Sequence, residues 1–350
     1  MLNMERIRTA LCSFGMSGRV FHAPFIQLHQ GFELVGAWER STNLMQQYYP
    51  NCKSYDTYEE LLNDDIDLVI VNTPTNTHYD FTKEALMNDK HVVVEKAFTT
   101  TTGEASGLKF LAEQVDRKLA VFQNRRWDSD FKTVQHILNE GYLGDLCEVE
   151  IHFDRFNLEL SPKKHKEEPN AGAGIVLDLG PHLIDQALCL FGMPEKLFAD
   201  IRQTRPTTKV DDYFEILLYY PTLRVRLKAG YIVQEPIPAY VLHGTNGSFV
   251  KPRGDVQESL LQLNKKPNTN SWGTEDKENY GILHCTKNEK LVREKIKSLQ
   301  GNYYDFYDEM YKAITYDKPV PVSAQDGLNV MKIIETAIKS SNEQKAINLT

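Results

Sequence analysis

From residue 6 to residue 122, short runs of Val, Ile and Leu alternate with longer amphipathic stretches, and this alternation limits the possible folds more than any other feature of the chain. "IRTALCSF", "FELVGAW", "IDLVIVNT", "KHVVVEK" and "LAVFQN" read as strands. Between them, "GRVFHAPFIQLHQ", "YEELLND", "HYDFTKEALMND" and "TGEASGLKFLAEQVDRK" read as helices. Strands that are apolar on both faces and separated by helices belong to a parallel sheet covered on both sides. The pattern predicts an α/β fold in which residues 1–124 form an N-terminal Rossmann domain with a doubly wound parallel sheet.

Beyond Asn124 the texture changes. "LCEVEIHFDRFNLEL", "KLFADIRQTR", "VDDYFEILLYY", "LRVRLKAGYIV" and "AYVLHGTNGSFVK" alternate with a period of two, as strands with one wet and one covered face do. Residues 125–350 are expected to form a C-terminal α+β domain with a large, open, mostly antiparallel sheet. "SPKKHKEEPNAGAG" and "KKPNTNSWGTEDKENYG" read as surface loops. "AQDGLNVMKIIETAIKSS" reads as a helix with Leu328, Met331, Ile334 and Ala337 on its apolar face. A length of 350 residues suits two domains with a cleft between them.

Composition narrows the function classes. A net charge of −8 provides no overall basic field, which disfavours nucleic acid as a partner. No run of about 18 apolar residues is present, so no membrane span is expected, and "MLNMERIRTA" lacks the apolar core of a secretory leader. Cys12, Cys52, Cys147, Cys189 and Cys285 form no close pair and read as reduced thiols, and with neither a leader nor a span expected the protein is expected to be cytoplasmic. The histidines lack the HxH or HExxH spacing of a metal centre, and no metal is expected.

The first strand runs into "SFGMSGRVFHAPF", a variant of the GxGxxG turn that cradles a dinucleotide pyrophosphate. Ser13 replaces the first glycine, Gly15 and Gly18 stand at the second and third, and Met16 lies between them. Glu39 ends the second strand about 20 residues on, where a carboxylate binds ribose hydroxyls. Its charge favours NAD. Arg40 and Ser41 follow, and a guanidinium with a hydroxyl suits the 2′-phosphate of NADP, so the choice of nucleotide stays open.

Ligands of such sheets bind beyond the carboxyl ends of the strands. Thr73, Pro74 and His78 follow one strand, Glu95 and Lys96 another, and Asn124 the last, which makes all six candidates for contact with a cofactor. Asp178 and His182 are spaced i,i+4, which puts them on one helix face with Pro181 tolerable in its first turn. An imidazole beside a carboxylate makes an oriented general base. Asp185 reads as hydrogen-bonding support. Arg126, Trp127, Arg155 and Asn157 are candidate substrate-binding residues, together with Lys96, Asp178 and His182; Arg125 and Arg126 alternatively cap a cofactor or form a salt bridge.

The segments "FGMSGRVFHAPF", "IDLVIVNTPTNTHYD", "HVVVEKAFTTT", "FQNRRWDSDF", "GPHLIDQALCLFGMP", "NYYDFYDEMYKAI" and "PVPVSAQDGLNVMKIIETA" together resemble the Gfo/Idh/MocA oxidoreductases, nearly from end to end. FHAP, NRRW and DLGPHLIDQAL are most similar to the NADP-linked scyllo-inositol dehydrogenase-like branch. In this resemblance Lys96 matches the family's E-K-P lysine, and Asp178 and His182 its D-x-x-x-H pair, which makes the three catalytic candidates. The resemblance implies hydride transfer between NADP or NAD and a secondary alcohol or ketone of a sugar or cyclitol, with a scyllo-inositol-like substrate favoured. It also implies a homodimer or homotetramer formed through the C-terminal sheet. Two departures stand out: Ser13 for the first glycine, and Ala97 for the proline after the lysine. The same fold also serves dinucleotide-binding regulators without turnover and reductases of non-sugar substrates.

Overall fold

The computed structural model describes residues 6–39, 43–161, 167–268 and 270–349. Its first sheet contains β1 (Ile7–Leu11), β2 (Phe32–Trp38), β3 (Lys53–Tyr55), β4 (Leu68–Val71), β5 (His91–Glu95) and β6 (Leu119–Phe122), in the order β3-β2-β1-β4-β5-β6. Every pairing in it is parallel. β4 and β6 are buried along their whole length, which is why they read as unbroken apolar runs. The strand order reverses between β1 and β4, the switch point at which such sheets bind ligands.

The connecting helices are α1 (Ala23–Leu28), α2 (Leu44–Tyr48), α3 (Tyr58–Asn63), α4 (His78–Met87) and α5 (Thr102–Gln114). Capping boxes start α3 and α5, with Thr57 and Thr101 each closing on a glutamate three residues on, Glu60 and Glu104. A wide π turn, Gly18–His22, precedes α1, whose first turn contains Pro24. Proline there has no N–H to close a normal turn. β3 and α2 have no counterpart in the sequence reading: β3 buries Tyr55 alone, too little to form a pattern.

The second sheet has nine strands. They are β7 (Leu146–Asp154), β8 (Lys196–Arg202), β9 (Tyr213–Tyr219), β10 (Arg224–Gly230), β11 (Tyr240–Gly244), β12 (Gly247–Lys251), β13 (Gly281–Lys287), β14 (Lys290–Ile296) and β15 (Ile347–Asn348). Their order is β14-β13-β12-β11-β7-β10-β9-β8-β15, antiparallel except where β7 pairs with β10. The stretch "AYVLHGTNGSFVK" proves to be two strands, β11 and β12, folded back at Thr245 and Asn246. The β13–β14 hairpin escaped the sequence reading because its turn, Asn288 and Glu289, takes positive φ without a glycine, and β14 is almost wholly exposed. Among the described residues, five helices accompany these segments: α6 (Ser129–Asn139), α7 (Ile175–Asp178), α8 (Gly180–Phe191), α9 (Gln257–Gln262) and α10 (Tyr304–Tyr316). The last, α11 (Ala324–Glu343), buries Leu328, Met331, Ile334 and Ala337 as its periodicity predicts.

The chain forms two units, each assembled from separated stretches. One comprises residues 1–124, 257–272 and 302–328, the other residues 125–256, 273–301 and 329–350. A single cut after Asn124 does not convey this, and the reason is apolar cover. Phe25, Phe32 and Phe122 of the first unit are roofed by α10, where Phe25 stacks on Tyr307 at 5.8 Å and Phe122 meets Phe306 edge-on at 4.9 Å. Each buried aromatic side chain stabilises by roughly 1.5–3 kcal/mol. Among the described residues, no helix is long and apolar enough to cross a membrane.

Candidate functional site

The turn after β1 keeps the shape of a dinucleotide cradle without its first glycine. Ser13 does not take a positive φ, so no glycine is needed there. Its Oγ accepts the Gly15 N–H at 3.3 Å, and its carbonyl accepts Asn72 Nδ2 at 2.8 Å, which ties the turn to the end of β4. Gly18 is obligatory, because an added Cβ would lie 2.5 Å from the Ser13 carbonyl oxygen. At Gly15 an added Cβ would meet nothing nearer than Ser13 Oγ at 3.5 Å, so the main chain there is open to an approaching pyrophosphate. Met16 is 40 % exposed beside it. The turn therefore fits a dinucleotide. Gly18→Ala is expected to weaken nucleotide binding at least tenfold in a fluorescence titration, because the Ser13 carbonyl must move; unchanged affinity would show that the turn is not the cradle.

Glu39 has a different engagement from the one its position suggests. Its carboxylate accepts the backbone N–H groups of Leu44 at 2.9 Å and Met45 at 3.0 Å and the Ser54 hydroxyl at 2.8 Å. It closes the start of α2. Arg40 and Ser41 lie outside the described residues.

At the end of β5, Glu95 is the hub of a buried chain. Glu95 Oε1 accepts Ser17 Oγ at 2.5 Å and faces His22 Nε2 at 3.0 Å. His22 Nδ1 meets the Tyr307 hydroxyl at 2.7 Å, and that hydroxyl donates to the Phe21 carbonyl at 2.9 Å. Burial alone raises the Glu95 carboxyl; the hydrogen bond and charge of His22, with Ser17, outweigh it and hold the group below its ordinary value. The carboxylate thereby joins the phosphate turn to the residue before Lys96, whose backbone N–H donates to Glu95 Oε2 at 3.3 Å. Lys96 is half-buried, and the Lys96–Ala97 peptide is cis. Sequence reasoning passed over Ser17, His22, Asn72 and Tyr307; the FHAP histidine was the available signal.

His78 lies inside the protein, 1 % exposed, with Nδ1 and Nε2 each 2.8 Å from the carbonyls of Ala97 and Thr73. Burial pushes the imidazole below its ordinary value. It pins the ends of β4 and β5 together. Thr73 is half-buried, Pro74 exposed, and Asn124 6 % exposed after β6.

In the second unit, Asp178 and His182 do not share one helix. Asp178 closes α7 and His182 lies in the first turn of α8, with Leu179 between the two segments. Pro181, which has no N–H to continue α7, is the reason for the break. His182 is 6 % exposed and Asp178 half-buried. The Arg126 guanidinium makes a two-point bond to Asp185, at 2.8 and 2.7 Å, which fixes the Asn124–Trp127 turn against α8. Gln186 extends this tie by donating to the Arg125 carbonyl at 3.3 Å and accepting the Tyr240 hydroxyl at 3.1 Å. Trp127 is buried, whereas Arg155 and Asn157 are exposed just beyond β7. Tyr231 is pushed up to about 12, first by burial and then by the nearby Asp178 charge, with Arg155 and Arg205 opposing.

A parallel sheet with this strand order and a glycine-dependent turn after its first strand defines a dinucleotide-binding Rossmann protein. The chain belongs to the Gfo/Idh/MocA family: the model of its NAD-binding Rossmann fold matches residues 7–123, and that of its C-terminal alpha/beta domain residues 136–349. Scyllo-inositol 2-dehydrogenase (NADP(+)) IolW of Bacillus subtilis is 35 % identical over 99 % of this chain and 97 % of its own. The solved structure of yvaA from Bacillus subtilis, described as an oxidoreductase, superposes with a TM-score of 0.96 at 34 % identity, covering 100 % of both chains. One from Bacteroides fragilis, described likewise, gives 0.91 at 44 % identity over 99 % of this chain and 100 % of that one. The protein is an NAD(P)-dependent dehydrogenase.

Proposed function

We propose that the enzyme transfers a hydride reversibly between nicotinamide and a secondary alcohol or ketone carbon of a sugar or cyclitol, with a scyllo-inositol-like polyol favoured and NADP preferred. The observation that carries this reading is the end-to-end match to a scyllo-inositol 2-dehydrogenase, and it is in keeping with the resemblance of Lys96, Asp178 and His182 to the family's E-K-P and D-x-x-x-H residues. The NADP preference rests on the similarity to an NADP(+)-linked enzyme. Glu39 is in keeping with it, because a carboxylate that already accepts from Leu44, Met45 and Ser54 has fewer lone pairs left for a ribose diol and a charge partly offset by those donors.

The cofactor supplies the hydride acceptor or donor. In oxidation, the His182 imidazole takes the proton from the substrate hydroxyl. Asp178 orients the ring and stabilises the imidazolium. Lys96 Nζ donates to the reacting oxygen and offsets the negative charge that develops on it. Arg126, held on Asp185, keeps α8 and thus His182 in place. Homodimer or homotetramer formation through the nine-stranded sheet is part of the same proposal. A cytoplasmic location is proposed as well, in keeping with five free thiols.

The test is a fluorescence titration with NADPH and then NADH, followed by scyllo-inosose and a panel of keto sugars. Tighter binding of NADPH, by tenfold or more, and substrate-dependent loss of reduced nicotinamide are expected. Equal affinities would remove the NADP preference. Binding without turnover across the panel would remove the polyol reading.

A further inference from the structure

Three guanidinium groups surround one aromatic ring in the second unit. The guanidinium carbons of Arg253, Arg125 and Arg155 lie 4.2, 4.9 and 4.9 Å from the centre of the Phe153 ring, at the end of β7. Stacking on an aromatic face relieves only part of the cost of crowding like charges. The neighbouring arginines have carboxylate partners: Arg125 pairs with Asp128 at 3.2 Å, Arg126 with Asp185 at 2.7 Å, and Arg205 with Asp212 at 2.8 Å and Glu167 at 3.2 Å.

Arg155 and Arg253 have no such partner among the described residues. Arg155 is exposed, with the Phe153 ring as its neighbour. Arg253 is half-buried; its Nη2 donates to the His152 carbonyl at 2.9 Å, while Nη1 is enclosed with no hydrogen-bond acceptor in reach. A buried donor without an acceptor is costly unless something fills the position. Tyr231 feels the charges of both Asp178, one of the catalytic candidates, and Arg155.

We propose that the substrate carries an anionic group, a carboxylate or a phosphate, held by Arg155 and Arg253 beside Phe153. This deepens the hydride-transfer reading, on which it rests for the word substrate, by narrowing the favoured neutral polyol to a polyhydroxy compound that also carries an acidic group. A neutral hydroxyl accepts one hydrogen bond but leaves both charges uncompensated. An anionic oxygen pair matches the planar fork of a guanidinium and offsets the charge as well.

The experiment compares ligands that differ in charge on one carbon skeleton. D-Glucitol and D-glucarate are titrated calorimetrically into the full-length protein, with and without NADPH. Glucarate is expected to bind at least tenfold more tightly. In Arg155→Gln and Arg253→Gln, glucarate is expected to lose at least ten times more affinity than glucitol, with Arg155→Lys keeping part of it. Arg155 is exposed, so its variants test the proposal even where Arg253→Gln fails to fold. Equal affinities, no binding of either compound, or a preference that survives Arg155→Gln would overturn the proposal. NADPH consumption with D-fructose and with 5-keto-D-gluconate separates the two readings. Charge-selective binding without consumption removes hydride transfer and leaves the anion site. Consumption with equal kcat/KM for both ketones removes the anion site and leaves hydride transfer.

Discussion

Lys96→Met is expected to lower kcat/KM for the proposed ketone reduction about a thousandfold, about 4 kcal/mol of transition-state stabilisation, with the melting temperature nearly unchanged. Methionine fills much of the space of the lysine stem. The half-buried Lys96 is held at the end of β5 by its own backbone N–H on Glu95, an interaction the substitution leaves intact. The loss should fall on kcat, because the charge that Nζ offsets develops as the reaction proceeds. His182→Asn should cost about a hundredfold or more and flatten the pH dependence, because asparagine cannot take a proton. Stopped-flow measurement of NADPH oxidation from pH 5 to pH 9 checks both. A Lys96→Met enzyme within tenfold of the parent would remove Lys96 from the chemistry. A His182→Asn enzyme with an unaltered pH profile would move the proton to another group.

The largest expected change in stability is at Lys251. Its ammonium and the Glu275 carboxylate are both fully enclosed, 0 % exposed, with Nζ 2.6 Å from Oε2. The remaining lysine donors reach the carbonyls of Asn279 at 2.8 Å and Pro252 at 3.2 Å. The hydroxyls of Ser129 and Ser298 donate to Glu275 at 2.6 and 2.7 Å. Lys251→Met leaves this carboxylate buried without its cation. Breaking a buried pair in this way costs about 3–5 kcal/mol. Urea denaturation followed by circular dichroism should show the loss. Lys251→Met combined with Glu275→Leu should recover part of it, because the stranded charge is gone. A loss below about 1 kcal/mol in the single variant would mean that water reaches the site.

Several elements were legible because their cause is local. β4 and β6 are buried on both faces and read as apolar runs without structural help. α3 and α5 read as amphipathic stretches, and the structure adds the local pairs that start them, Thr57 with Glu60 and Thr101 with Glu104. The face of α11 follows from its spacing. The β13–β14 hairpin was hidden because it reverses at Asn288 and Glu289, a pair without the glycine that marks such turns. The single helix expected for Asp178 and His182 was wrong in continuity. An i,i+4 spacing does not reveal that the chain breaks at Leu179 just before Pro181.

By itself, the sequence determined the helix-covered parallel sheet of the first unit, the alternating sheet of the second, and the residue types available for proton transfer. Each follows from periodicity or from chemistry carried by a few neighbouring positions. Only the tertiary structure decided where the side chains' hydrogen bonds go. It turns the carboxylate of Glu39 onto the start of α2 and encloses His78 between the carbonyls of Thr73 and Ala97. It commits Arg126 to Asp185, and it gathers Arg125, Arg155 and Arg253 about Phe153. The physical reason is that a polar side chain takes whichever partner is within about 3 Å once water has been excluded, and that partner need not lie close along the chain, as Asp185 does not to Arg126.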